Sequence, residues 1–95
     1  MLSRFIVILN TEHPITEQSY PEFFGFLLSI HQSVLLASGV YALAMEGDVS
    51  TVHDAIEPLL RDTDYLVVVK AQNARWSVGD EALNDRLHLV FPFVD

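Results

Sequence analysis

Between Phe23 and Met45 the chain carries no charged residue. No other feature constrains the fold as strongly, because a stretch of that length must either cross a bilayer or be cut into shorter buried elements. Three details favour cutting. His31-Gln32-Ser33 sits near its middle; Glu22 on one flank and Glu46 and Asp48 on the other are acidic, with no basic anchor; and Ser38-Gly39 reads as a tight turn. The N-terminal Met-Leu-Ser-Arg runs straight into a strand and lacks the small-residue cleavage site of a secretory signal. A soluble, cytoplasmic chain without membrane association is expected.

The rest of the chain alternates short apolar runs with helical patterns. "RFIVILN", Arg4 to Asn10, reads as a strand buried on both faces. After the polar "TEHPITEQ" comes "SYPEFFGFLLSIHQ", a helix in which Ser19 and Glu22 have the spacing of a capping box and Pro21 falls in the first turn. Phe23, Phe24, Phe26, Leu27, Leu28 and Ile30 make this helix apolar around much of its girth, more than one sheet contact needs. Two strands follow, Val34 to Ala37 and Val40 to Glu46. A second helix, capped by Asp48 or Ser50, runs to about Arg61, with Val52, Ile56, Leu59 and Leu60 toward the sheet and Pro58 shortening or kinking it.

The five apolar residues Tyr65 to Val69 read as a further buried strand, and the polar "AQNARW" after them as that strand leaving the sheet. "SVGDEALNDRL" reads as a turn and a short third helix capped by Asp80. "HLVFPFV" reads as a final extended segment, limited by Pro92 to a sheet edge or strand end. The order β-α-β-β-α-β plus a tail predicts an α+β fold of the ferredoxin-like kind, with two helices on one face of an antiparallel sheet, in one domain spanning residues 1–95.

Composition narrows the function classes. Hydrophobic residues make up 51% of 95 residues and charged ones 19%. So small a body has too little interior for that much apolar surface, which points to an oligomer. With no cysteine, disulfides, thiolate zinc sites and cysteine nucleophiles are excluded. Thirteen acidic residues against five basic ones give a formal charge of −8, which repels a phosphate backbone on average.

Candidate chemistry is sparse. His13 stands beside Glu12 and Glu17 in the first loop, at a spacing that matches no ligand pattern and suits a solvated acidic loop. His53 and Glu57, at i and i+4, suit a metal pair or an ordinary exposed helix pair. Glu46 with Asp48, and Asp62 with Asp64, flank the second helix in turns, where aspartate usually caps. There is no G-x-S-x-G elbow and no glycine-rich phosphate loop. Tyr41, Tyr65 and Trp76 read as strand aromatics, better suited to packing than to stacking bases, since basic neighbours are nearly missing.

"VILNTEHP", the "SY" opening the first helix, "SGVYAL", "VSTVHDAIEPLLRDTDYLVVV" and "NARW" together resemble the small subunits of CRISPR adaptation, a CRISPR-associated endoribonuclease-like family, and the related short SinR-like proteins. The resemblance implies a ferredoxin-like homodimer whose C-terminal segment adds to the partner's sheet. In nuclease-like members an aspartate ends the first strand, and two such carboxylates meet across the dimer to hold a divalent metal that activates water. Here that position is Asn10, which can coordinate a hard cation but brings no charge and no base; Glu12, two residues on, is the nearest replacement.

The expected function is therefore a non-catalytic homodimeric binding or assembly module with a degenerate nuclease site, needing no cofactor and binding no nucleic acid. Phe23, Phe26, Leu27, Trp76, Phe91 and Phe93 are the expected interface residues, between subunits or toward a protein partner. Two alternatives stand beside it. One is a metal-dependent endonuclease with an altered site, using Mg²⁺ or Mn²⁺. The other is an acidic inhibitor that mimics nucleic acid, its charge competing for a basic groove.

Overall fold

The long uncharged stretch is cut at Ser38-Gly39. Gly39 takes a left-handed φ of +76°, and its carbonyl accepts a hydrogen bond from the Leu9 amide, fixing the turn against the first strand. The computed structural model describes residues 2–92. Its elements are β1 (Leu2–Asn10), α1 (Pro21–Ser29), β2 (Gln32–Ala37), β3 (Val40–Glu46), α2 (Val49–Ile56) with a 3₁₀ turn over Glu57–Leu59, β4 (Tyr65–Ala71) and α3 (Glu81–Val90). The fold is α+β, a four-stranded antiparallel sheet with three helices. No helix among the described residues is long and apolar enough to cross a membrane.

The strands lie in the order β2-β3-β1-β4. Antiparallel pairing sets Phe5 opposite Leu43 on one side of β1 and opposite Lys70 on the other, and Ile8 opposite Val40 and Val67. Side chains alternate across the sheet. On one face Phe5, Val7, Leu9, Tyr41 and Leu43 pack with Tyr20 and Phe23 at α1 and with Val52 and Ile56 of α2. On the other face Val34, Ala42 and Ala44 pack against Leu87 and Val90 of α3 and against Phe91. The small Ala42 and Ala44 let α3 sit close to the sheet. Arg4 donates from Nε to the Val90 carbonyl at 3.0 Å, and Arg86 donates from Nη2 to the Ser33 carbonyl at 3.2 Å, so the middle and the C-terminal end of α3 are tied to strands.

Four local expectations are corrected. Ser19 does not cap α1. The helix starts after Tyr20, with no side-chain cap, because Ser19 is held in the preceding turn: Thr16 Oγ1 accepts from its amide and donates to its hydroxyl. The "HLVFPFV" segment is not wholly extended. His88 to Val90 continue α3, since Leu83, Leu87 and Val90 keep the helical stripe that buries against the sheet. Only Phe91, the residue before Pro92, is forced out of the helical region, at φ −116° and ψ 82°. Residues 93–95 lie outside the described part. Third, neither β1 nor β4 is buried on both faces. Ile8 is 40% exposed, and Tyr65, Val67 and Val69 are 70%, 50% and 48% exposed, because α3 covers β2 and β3 and stops short of β4. Fourth, Trp76 is not on a strand; it lies in the connection between β4 and α3.

The remaining helix readings match. Asp48 caps α2 in a reciprocal box with Thr51, which holds the aspartate's carboxyl below the ordinary range. Pro58 ends the α-helix in the 3₁₀ turn, and Asp80 caps α3 through the amides of Ala82 and Leu83.

Candidate functional site

The face of the sheet that α3 leaves open is the most distinctive surface of the molecule. β4 is an edge strand, so one row of its backbone groups faces outward. Its odd-numbered side chains share a face with the even-numbered ones of β1: Tyr65 opposite Asn10, Val67 opposite Ile8, Val69 opposite Ile6. Cross-strand partners lie near enough to touch, so Tyr65, Val67, Val69, Ile6 and Ile8 form one continuous apolar band along the edge, with the polar Asn10 at its far end.

At its Ala71 end the band runs into a cavity of about 360 Å³ between the sheet, α3 and the connection before α3. Ile6, Leu36, Ala71, Leu83, Leu87 and Phe91 supply most of its apolar wall, with Trp76 on one side and Asn73 and Arg75 as its polar members. Trp76 is fixed: its Nε1–H donates to Asn84 Oδ1 at 2.9 Å, and its ring packs edge-on to His88 at 4.9 Å between centroids and against Phe91 at 6.1 Å.

The expected nuclease-like position is organised differently. Asn10 ends β1, as expected, and is exposed opposite Tyr65. Glu12 lies in the loop beyond and accepts from the Thr63 hydroxyl at 2.8 Å. Beside it Asp64 accepts three hydrogen bonds. Its Oδ2 accepts from the Tyr20 hydroxyl and the Arg61 amide, both at 2.9 Å, and its Oδ1 from the Glu12 amide at 3.3 Å. Partial desolvation alone would raise the Asp64 carboxyl; the Arg61 amide, the Tyr20 hydroxyl, the Glu12 amide and the Arg61 charge outweigh it, and the carboxyl titrates below the ordinary range. Burial and the neighbouring Asp64 push Tyr20 upward. Arg61 lies over the Tyr20 ring, 4.8 Å from its centroid, and donates to the Ser19 carbonyl. This node joins the end of β1, the start of α1 and the turn before β4.

On α2, His53 contacts Asp54 and Glu57, each at 3.2 Å, beside a shallow cleft of about 230 Å³. Among the described residues no group of three or more His, Asp or Glu is placed to hold a metal ion. Of the expected interface residues, Phe23 and Phe91 are buried inside the chain's own two cores, while Phe26, Leu27 and Trp76 are half-buried. Phe93 lies outside the described residues. Sequence reasoning missed the exposed band, although an apolar run read as buried on both faces was its one visible signal. Tyr65, read as packed, is the most exposed member of that band, whereas Tyr41 is in the core. Comparison with models of known families, with curated proteins and with solved structures finds no match.

Proposed function

We propose that this chain is a non-catalytic homodimeric binding or assembly module with a ferredoxin-like arrangement, and that the second copy seats on β4. The observation that carries this is the bare edge: Tyr65, Val67 and Val69, each about half exposed or more, next to Ile8 of β1, on an edge strand paired on one side only. Such an edge usually carries a proline, a bulge or several charges that prevent pairing. β4 has Lys70 as its single charge and pairs with β1 without a break in register. Antiparallel pairing of β4 with its own copy is isologous, satisfies the outward backbone groups of both strands and joins the two apolar bands into one. A twofold axis at Val68 sets Val67 of each copy beside Val69 of the other.

The element order β-α-β-β-α-β, with α1 and α2 in one core, supports the ferredoxin-like reading and agrees with the resemblance to small CRISPR-adaptation subunits. The Asp64 carboxylate, which accepts three hydrogen bonds from the protein, and Asn10, which brings neither charge nor base to the strand end, support a non-catalytic role. The test is light scattering coupled to size-exclusion chromatography on the full chain and on Val67→Lys. The reading expects a dimer that Val67→Lys converts to monomer without loss of helical and strand signal. A monomeric wild type, or a dimer indifferent to Val67→Lys, overturns it.

A further inference from the structure

The cavity beside Trp76 has features of a small-molecule site that the dimer reading does not use. Its volume, about 360 Å³, falls in the range of ligand clefts, and its wall is mostly apolar with few polar groups. The charge on that wall is one-sided. A chain with thirteen acidic residues places no carboxylate among the described lining residues, and one of its five basic residues, Arg75, is there.

Arg4, Arg61 and Arg86 each donate to a backbone carbonyl, whereas Arg75 makes no hydrogen bond or ion pair among the described residues. The indole N–H of Trp76 is already taken by Asn84 and is closed to a ligand. That leaves Arg75 and Asn73 to receive a polar head. Arginine has only donors, in a planar fork that fits a carboxylate with two parallel bonds. At roughly 30 Å³ for each water-sized group, the cavity has room for an apolar body of about ten heavy atoms.

We propose that this cavity binds a monocarboxylate with an apolar body of that size, a medium-chain fatty acid or an aryl-alkyl acid, its carboxylate on Arg75 and its body against Trp76, Leu83, Leu87 and Phe91. The wall is held before binding: Trp76 is anchored by Asn84, and Leu87 and Phe91 are already packed in the core under α3. Little ordering is then left for the ligand to impose. The site lies at the Ala71 end of β4.

The chain has one tryptophan, so its fluorescence reports on this cavity alone. The experiment titrates the full chain with sodium decanoate and, separately, with decanol, reading Trp76 emission and confirming each isotherm by calorimetry. The expected result is saturable decanoate binding below about 1 mM. Arg75→Gln should weaken decanoate by about tenfold, the order of one lost charge-assisted bond, and leave decanol unchanged. Ala74→Phe, which fills the cavity, should abolish both signals while far-ultraviolet circular dichroism stays that of the wild type. Absence of saturable decanoate binding overturns the site. Equal binding of decanoate and decanol, with Arg75→Gln without effect, overturns the carboxylate assignment.

Discussion

The Tyr20 hydroxyl donates a 2.9 Å hydrogen bond to Asp64 Oδ2 across a separation of 44 residues, and this bond locks the start of α1 to the turn before β4. Tyr20 lacks the side-chain cap that its helix end would otherwise have, so the node substitutes for local capping. Tyr20→Phe keeps the buried ring and removes one bond, and should cost about 1 kcal/mol. Asp64→Ala removes the acceptor of three donors and should cost more, about 1–3 kcal/mol. Urea denaturation of the two variants against wild type measures both, and the order Asp64→Ala above Tyr20→Phe is the checkable outcome.

The same groups set the pH limits. Asp48 and Asp64 titrate below the ordinary carboxylate value in the fold, so their contribution is complete above about pH 4 and is lost as pH falls through their folded values. Tyr20 and Tyr41 titrate above the ordinary phenol value, so their contribution is complete below about pH 10 and is lost as pH rises further. Melting temperature should therefore fall at both ends. Asp64→Asn should flatten the acid limb, and Tyr20→Phe the alkaline one. Scanning calorimetry across that pH range reads both slopes.

Gly39 tests the hairpin. Its left-handed φ disfavours any side chain, and a Cβ there would overlap the Leu9 carbonyl oxygen. Gly39→Ala should cost more than about 2 kcal/mol, since backbone strain and overlap add. Equilibrium denaturation checks this, and Gly25→Ala is the control because a Cβ there meets nothing within 4 Å.

Mg²⁺ or Mn²⁺ should leave the melting temperature of the wild type unchanged and elicit no cleavage of single- or double-stranded substrates. Asp64 already accepts three hydrogen bonds from the protein, and among the described residues no group of three or more His, Asp or Glu is placed to hold a metal ion. Metal-dependent cleavage that is lost on Glu12→Ala would show that the carboxylates are available and that the nuclease reading is the right one.

Much of the fold was legible because its punctuation is chemical: Ser38-Gly39 for the hairpin, Asp48 and Asp80 for two caps, Pro58 for the end of α2. What was not legible depends on neighbours distant in the chain. Tyr65-Leu-Val-Val-Val is apolar at every position, so its sequence cannot say that one face lacks a cover; that follows from where α3 stops. Ser19 has the composition of a cap but is claimed by Thr16 first. Pro92 was read as marking an extended tail, although before itself a proline needs only the preceding residue to leave the helical region, and the Leu83–Leu87–Val90 stripe carries the helix up to that point. Arg75 and Asn73 were visible as polar residues after a strand, but their place on a cavity wall depends on α3 folding back over the sheet.

The pairing of β4 is the central claim, and amide hydrogen exchange at varied protein concentration tests it most directly. The alternate β4 amides that point away from β1 should be protected at high concentration and should lose protection on dilution, while the outward amides of the other edge, β2, stay unchanged. Outward β4 amides that exchange rapidly at every concentration, or a concentration dependence confined to β2, would contradict the account.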